Sequence, residues 1–153
     1  MMECPDMKQG RMTVVEQKEA SPAVAEVVCR LLAQLTSRPC PFGMPELEQM
    51  LRSGNCRLFM ACVDDEAVGM LTVGQYTTPT GRKCWLEDVV VDEHFRGRSI
   101  GRALVEAAIA AVKADGPAQL MLTSRPSRVA ANALYASAGF QRKETNVYKM
   151  QLD

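Results

Sequence analysis

The chain contains 153 residues, of which 47% are hydrophobic and 24% charged, a composition typical of a globular protein with one domain. Lysine plus arginine and aspartate plus glutamate number 18 each, so the formal net charge is zero. This balance argues against a general nucleic-acid-binding protein and against a polybasic membrane anchor, because both need a basic surface.

The cysteines indicate neither a metal site nor a disulfide framework. None of the six forms a CxxC pair, and the only histidine, His94, is not at metal-ligand spacing from any of them. We therefore expect no bound metal and mostly buried, reduced thiols. The chain shows no secretory signal pattern and no apolar run of the ~20 residues that a membrane span needs, so we expect a cytoplasmic protein.

The first third of the chain predicts one strand and two helices. Residues 1–10 are polar and predict a flexible segment, which leaves a single domain over residues 11–153. Ser21 before Pro22 is typical of a helix start, because serine caps free amides and proline fits the first turn. The predicted elements are the strand Met12–Glu16, a helix with apolar residues from Val24 to Leu35, and a short helix from Pro45 that ends at Ser53–Asn55.

The middle of the chain changes to apolar segments that are short enough to be strands. Polar turns at Asp64–Glu66 and Thr77–Gly81 separate these segments, and the first turn is short enough to predict a hairpin. The predicted strands are Arg57–Val63, Ala67–Tyr76 and Cys84–Val91.

The last third predicts helices and strands in alternation. Apolar residues from Ile100 to Val112 recur on one helical face, and Gly116 with Pro117 ends that helix. Ser127 is expected to cap a last helix, which stops at Gly139. The predicted strands are Gln119–Thr123 and a closing segment with Phe140, Tyr148, Met150 and Leu152. The order β-α-α-β-β-β-α-β-α-β predicts an α/β fold, with a mixed sheet and helices on both faces.

The loop before the Ile100 helix has the features of an anion-binding site. The first amides of a helix are unpaired and the helix dipole favours negative charge there. Glycines in this loop allow a ligand to approach the backbone, and arginines add positive charge, so a diphosphate would fit. Neither the Walker motif nor GxGxxG occurs here. The glycines and arginines are Gly97, Gly101, Arg96, Arg98 and Arg102.

Two motifs in this chain resemble those of the GNAT superfamily of N-acetyltransferases. Arg96, Ser99 and Gly101 occupy the defining places of its acyl-CoA signature, [R/Q]xxGx[G/A]. Serine replaces the usual glycine at position 99, but it is small and keeps its N–H, so we expect binding to survive. Residues Ala131–Phe140 resemble the A-x-x-[LF]-Y-x-x-x-G-F stretch of the family's last helix. With the element order, the resemblance covers nearly the whole chain.

This resemblance implies the family's fold and its co-substrate, acetyl-CoA. The expected sheet is strongly twisted and has six to seven strands, and its fourth and fifth strands splay apart to hold the pantetheine arm. The residues expected to bind acetyl-CoA are Val89, Val90, Val91, Arg96, Gly97, Arg98, Ser99, Ile100, Gly101, Arg102 and Asn132.

Aminolysis of a thioester needs a deprotonated amine, a polarised carbonyl and a protonated leaving thiolate. The resemblance implies that the base comes from the strand before the loop, as Glu87, Asp88 or a chain of water. Adjacent strand residues face opposite sides, and we expect Glu87 to be the base. Tyr135 is implied as the acid that protonates the thiolate. Trp85 either lines the substrate cleft or packs in the core.

The expected function is acetyl transfer from acetyl-CoA to a primary amine of a small molecule or peptide, by direct attack in a ternary complex. One alternative is a non-catalytic acyl-CoA-binding or regulatory module on the same fold, suggested by Ser99. Another is a nucleotide-binding protein that uses the same helix start. No nucleic-acid or membrane partner is expected, and a homodimer is left open because many family members dimerise.

Overall fold

A computed structural model of the protein describes residues 10–39 and 41–153. The chain divides into two compact units, of which the first ends at Thr123 and the second comprises Ser124–Asp153. The expected flexibility of residues 1–10 lies outside the described residues except for Gly10, and a single domain over residues 11–153 stays a prediction. The elements are β1 (Met12–Gln17), α1 (Pro22–Leu35), α2 (Met44–Arg52), β2 (Cys56–Val63), β3 (Glu66–Thr78), β4 (Gly81–Val91), α3 (Ile100–Ala114), β5 (Gln119–Met121) and α4 (Val129–Ser137).

The first unit contains one open sheet with the strand order β1-β2-β3-β4-β5. The first four strands pair antiparallel. Tight turns join β2 to β3 and β3 to β4, whereas α1 and α2 lie between β1 and β2. β5 pairs parallel to β4, which requires a crossover, and α3 provides it. The structure therefore has the mixed α/β sheet that the sequence predicts.

The expected six to seven strands are not found, because the described residues form five. The closing segment makes no strand: Val147, Tyr148, Met150 and Leu152 are 73–88% exposed, and residues 138–153 have no regular structure. Its alternating apolar pattern is real, but a strand is stable only when neighbouring strands pair with it and cover one face. The prediction of a final strand in the element order is therefore wrong.

Helices cover both faces of the sheet. On one face, here called the α1 face, α1 and α2 pack against Leu58, Met60, Met70 and Val90. The opposite face, here called the α3 face, packs against α3. Gly69 belongs to it, because a Cβ placed there would lie 3.1 Å from a side-chain carbon of Leu104. Side chains alternate along a strand, so neighbouring residues 69 and 70 belong to opposite faces.

Local sequence explains how the helices begin. The Ser21 hydroxyl accepts from the Val24 amide at 3.2 Å, which confirms this residue as the cap of α1. The predicted cap at Ser127 is wrong, because α4 starts one residue later with Arg128 at the N-cap, without a side-chain capping bond among the described residues. Helix α2 begins at Met44, where the Glu46 carboxylate accepts from the Gly43 amide at 2.9 Å.

An ion-pair network ties the end of α3 to the sheet. Arg57 on β2 donates two hydrogen bonds to the Glu16 carboxylate, at 2.8 and 2.9 Å, and one to Asp115 at 2.7 Å. Arg82 on β4 donates to the backbone oxygen of Val112 in the last turn of α3 and to that of Gly116 just beyond the helix. The C-terminal end of α3 is therefore fixed relative to three strands.

The described cysteines are free thiols at positions 29, 56, 62 and 84. The expected burial holds fully only for Cys84. Cys29 is exposed and its thiol donates to the Phe42 backbone oxygen at 2.9 Å.

Candidate functional site

A β-bulge interrupts β4 at the strand where the sequence places the base. Met70 pairs with Val90 and Thr72 pairs with Glu87, so Asp88 and Val89 together oppose the single residue Leu71. Asp88 has φ +50°, in the left-handed region that few residues adopt. The extra residue reverses the side-chain alternation beyond it and leaves local backbone groups out of the regular ladder.

Beyond the start of β4, the fifth strand no longer runs alongside it. The parallel pairing covers only Lys83 to Trp85, whereas β4 continues to Val91. The edge of β4 from Leu86 to Val91 is thus not paired by β5. An extended polar chain could form backbone hydrogen bonds along this edge, as a strand would. The valine segment predicted to hold the pantetheine arm lies here.

The turn between β4 and α3 presents amides in a concave arrangement. Gly97 has φ +79° and Ser99 has φ +60°, ψ +21°, and Ile100 then starts the helix. A left-handed residue followed by a right-handed one turns successive N–H groups to the same side, which forms an anion-binding nest. The first helical hydrogen bond is donated by Ala103 to Ser99, so the amides of Ile100 to Arg102 precede it. The arrangement suits a diphosphate.

Three arginines surround this turn, each with a contact of its own. The Arg96 Nε donates to the Val91 oxygen at 3.4 Å, and the Arg98 guanidinium lies 5.1 Å from the centroid of the Phe95 ring. Arg102 lies 3.5 Å from the Glu106 carboxylate. Arg96 and Arg98 are thus held on the loop itself, where their charges add to the attraction for an anion. Glu106 lies one turn further along α3 and partly neutralises Arg102.

A half-buried ion pair anchors the loop that leads into the turn. The Asp92 carboxylate, only 8% exposed, accepts from Arg30 of α1 at 2.9 Å and from the His94 amide at 3.0 Å. The His94 N–H is the largest of several causes that lower the pKa of Asp92, and the charge of Arg30 contributes as well. The Gln34 side chain accepts from the Glu93 amide at 2.9 Å. Helix α1 therefore fixes the start of the candidate anion loop.

Glu87 lies on the α1 face, because it pairs with Thr72, two residues from the core residue Met70. The side chain is exposed, yet partial desolvation raises the pKa of its carboxyl above the ordinary value, and the nearby charge of Asp88 raises it further. A carboxylate with a raised pKa is a stronger base than one fully surrounded by water. His94 is 80% exposed.

Two predicted site residues, Asn132 and Tyr135, belong to α4 in the second unit. The Asn132 amide group donates to the Arg125 oxygen at 3.0 Å and so holds the segment that precedes the helix. Tyr135 is 7% exposed and its ring meets that of Phe140 edge-on, with 6.1 Å between the centroids. Burial raises the pKa of Tyr135, while Arg128 lowers it to a smaller extent, so the phenol is protonated at neutral pH.

The first unit thus brings Glu87, the valine segment and the loop from Arg96 to Arg102 onto one strand and the helix that follows it. The sequence reasoning missed the anchor formed by Arg30 and Asp92. These residues are 62 positions apart, and in the sequence Asp92 looks like an ordinary loop residue. The only local signal of this anchor was that Asp92 stands two residues before His94, where its side chain can cap the His94 amide.

Comparisons with known proteins agree with this geometry. The profile of the acetyltransferase (GNAT) family matches residues 27–140. Aminoglycoside N(6')-acetyltransferase type 1 of Stenotrophomonas maltophilia is 32% identical over 114 residues, which cover 69% of this chain and 72% of that protein.

Solved structures of low sequence identity share the fold. The aminoglycoside acetyltransferase meta-AAC0020, from an uncultured soil metagenomic sample and in complex with sisomicin, has a TM-score of 0.80 at 17% identity, over 92% of this chain and 95% of that one. Aminoglycoside N-acetyltransferase AAC(6')-Iy in complex with CoA has a TM-score of 0.78 at 18% identity, over 95% and 97%. The profile match and the 32% identical relative confirm the resemblance, and the chain belongs to the acetyltransferase (GNAT) family of acetyl-transferring enzymes.

Proposed function

We propose that the protein transfers the acetyl group of acetyl-CoA to a primary amine of a small molecule, by direct attack in a ternary complex. The observation that carries the proposal is the combination, within one unit, of an unpaired β4 edge and an amide nest at the start of α3. The edge suits the amide groups of a pantetheine arm, and the nest suits a diphosphate. Both groups occur in coenzyme A, in the same order along the molecule.

The proposed donor contacts use the backbone more than side chains. Val89, Val90 and Val91 would bind the pantetheine amides through N–H and C=O groups on the open edge of β4. Amides from Gly97 to Arg102 would bind the diphosphate, and Arg96, Arg98 and Arg102 would add charge. We keep Asn132 as a further donor-binding residue because it belongs to the Ala131–Phe140 motif. Its side chain also stabilises its own segment.

The chemistry requires proton movement in both directions. Glu87, directly or through water, takes a proton from the ammonium, and the free amine then attacks the thioester carbonyl. The carbon–nitrogen bond forms, the carbon–sulfur bond breaks, and the amide nitrogen loses a second proton to solvent. The thiolate takes its proton from Tyr135, which is neutral at pH 7 because burial raises its pKa. The products are the acetylated amine and free coenzyme A.

The acceptor class follows from the acidic strand and from the relatives. Glu87 and Asp88 favour a cationic amine. The 32% identical relative is an aminoglycoside N(6')-acetyltransferase, so aminoglycosides are the first acceptors to test.

No helix in the described residues is long and apolar enough to cross a membrane. We propose that the reaction takes place in the cytoplasm, where the free thiols at positions 29, 56, 62 and 84 would stay reduced.

The test is thiol release from acetyl-CoA with aminoglycosides, polyamines, amino acids and peptides as acceptors. The wild type should acetylate at least one amine. Glu87→Gln should lower kcat/KM by about 10²–10⁴-fold, the range for loss of a general base, without weakening coenzyme A binding. Tyr135→Phe should lower kcat at unchanged coenzyme A affinity.

His94→Ala is the matched control, since it removes an exposed titratable side chain and keeps the backbone bond to Asp92. It should retain wild-type rates. Tight coenzyme A binding in calorimetry with no acceptor turned over would contradict the proposed transfer and support a binding module instead. Tighter binding of ATP than of coenzyme A would contradict the donor assignment.

A further inference from the structure

The loop between β4 and α3, here called the donor loop, is buried at its two ends and exposed between them. Asp92 is 5% exposed and Ile100 is 2% exposed. Of the seven residues between them, six are exposed and one is half-buried. Among these, Ser99 is left-handed, a conformation that persists only where the surrounding structure holds it. Packing supports little of the loop, so its shape depends on the contacts that fix its ends.

Two side chains of α1 hold the Asp92 end of the loop. They are Arg30 and Gln34, which lie four positions apart and therefore on one face of the helix. The Arg30 Nη1 donates to the Asp92 carboxylate at 2.9 Å, and its Nη2 donates to the Ala67 backbone oxygen on β3 at 2.6 Å. A planar guanidinium suits two acceptors at fixed positions, so Arg30 joins the start of the loop to the sheet.

Gln34 extends this attachment by one residue. Its side-chain oxygen accepts from the Glu93 amide at 2.9 Å, and its amide group also donates to the Asp92 carboxylate. The same carboxylate accepts from the His94 amide at 3.0 Å, and the Asp92 backbone N–H donates to the Val68 oxygen at 2.7 Å. The start of the donor loop is therefore bound by α1, by β3 and by its own turn.

From these contacts we infer that Arg30 and Gln34, here called the α1 clamp, are positioning residues for the donor. They hold the donor loop in the shape that binds the diphosphate of acetyl-CoA, and they act through Asp92 and Glu93 rather than on the donor itself. This inference rests on the proposed transfer from acetyl-CoA, and it adds two residues of a distant helix to donor binding.

The α1 clamp should set the affinity for the donor and not the rate of the chemical step. Without it, the exposed loop would adopt other shapes, and the apparent affinity would fall with the fraction of molecules that keep the binding shape. The hydrogen bond of a charged group is worth about tenfold or more in an equilibrium constant. Bound acetyl-CoA would restore the loop, so kcat should not change.

Two donors separate positioning from a general loss of stability. S-acetylpantetheine has the thioester and the pantetheine arm of acetyl-CoA but lacks the diphosphate. With a saturating amine that the wild type acetylates, Arg30→Met and Gln34→Met should each lower kcat/KM for acetyl-CoA about tenfold, through KM, and leave kcat/KM for S-acetylpantetheine within about twofold. An equal loss with both donors would overturn the inference, and so would an unchanged KM for acetyl-CoA.

A second variant guards against misfolding. Arg30→Met leaves the Asp92 charge without its cation, which destabilises a protein when the charge is buried. Arg30→Met combined with Asp92→Asn removes both charges, and the asparagine oxygen can still accept from the His94 amide. It should show the same donor-selective loss, and an equal loss with both donors would again overturn the inference. Arg52→Met is the matched control and should keep wild-type values, because this side chain of α2 is 81% exposed and lies 3.9 Å from Glu48.

The α1 clamp and the proposed transfer can fail separately. Calorimetry measures coenzyme A binding without an acceptor, and Arg30→Met should weaken this binding about tenfold. Such weakening, in a protein whose wild type acetylates no amine, would support the clamp and contradict the transfer. Acetylation by a wild type whose KM for acetyl-CoA is unaffected by both clamp substitutions would support the transfer and contradict the clamp.

Discussion

Ser99 holds a backbone conformation that suits glycine, and replacing it should stabilise the protein. Its φ of +60° and ψ of +21° place it in the left-handed region, which costs a residue with a Cβ about 1–2 kcal/mol. The side chain offers little in return, since it is exposed and its hydroxyl makes no capping hydrogen bond within the described chain. Glycine removes the steric cost, and its greater freedom in the unfolded chain takes back about 0.5–1 kcal/mol.

The net expectation for Ser99→Gly is therefore a gain of about 0.5–1 kcal/mol in the free energy of unfolding. For a chain of this length the melting temperature should rise by about 1–4 °C. Urea unfolding followed by circular dichroism gives the free energy, and calorimetry gives the melting temperature. Coenzyme A affinity should stay within about threefold, because the amide at position 99 remains.

Two further variants isolate the cause. Ser99→Ala keeps the Cβ and the strained φ, so its stability should match the wild type within about 0.5 kcal/mol. Gly97→Ala introduces a Cβ at φ +79° and, after the same offset for the unfolded chain, should lose about 0.5–1 kcal/mol. If Ser99→Gly were less stable than Ser99→Ala, the steric cost of a Cβ at φ +60° would be smaller than the cost of glycine's freedom in the unfolded chain, and the reasoning would be refuted.

Three other perturbations follow from single contacts. Gly69→Ala should cost about 1–3 kcal/mol in urea unfolding, because its Cβ would lie 3.1 Å from a leucine carbon of α3 and 3.2 Å from a backbone oxygen of β4; unchanged stability would contradict this packing. Arg57→Met should cost about 2 kcal/mol above pH 5. Its hydrogen bonds lower the pKa of Glu16 below 4.5, so this stability is lost as pH falls, and the wild type and variant should converge in acid. Asp88→Asn keeps a residue tolerant of φ +50° but removes a charge that raises the pKa of Glu87, so the acidic limb of kcat/KM should move to lower pH.

Local signals in the sequence were sufficient for most elements and for the donor loop. Serine before proline, glycine and proline pairs, and the apolar period of α3 depend on nearby residues, so one sequence contains them. The loop from Arg96 to Gly101 has a fixed spacing for the same reason. The separation of β4 from β5 was predicted from the family resemblance. Its physical basis is that β5 is only three residues long.

Long-range pairings were not readable. The Arg30–Asp92 pair and the contacts of Arg57 join residues 41 to 62 positions apart, and neither partner differs locally from a solvated charge. The closing segment failed for a related reason. Alternating apolar residues at 148, 150 and 152 predict a strand only if another strand accepts their hydrogen bonds, and the sequence does not say where such a partner lies.

The bulge at Asp88 explains how one strand serves both the core and the site. In a regular strand Glu87 would share its face with Val89 and Val91, and Val90 would point to α3. With the extra residue, Glu87 and Val90 share the α1 face, so Val90 completes the core with Met60 and Met70 while the Glu87 side chain is exposed. Three successive valines hide this change in the sequence, because each is equally apolar. The free energy that the left-handed conformation of Asp88 costs is thus offset by a particular arrangement. A core residue and a reactive carboxylate three positions apart face the same side, which a regular strand would not allow.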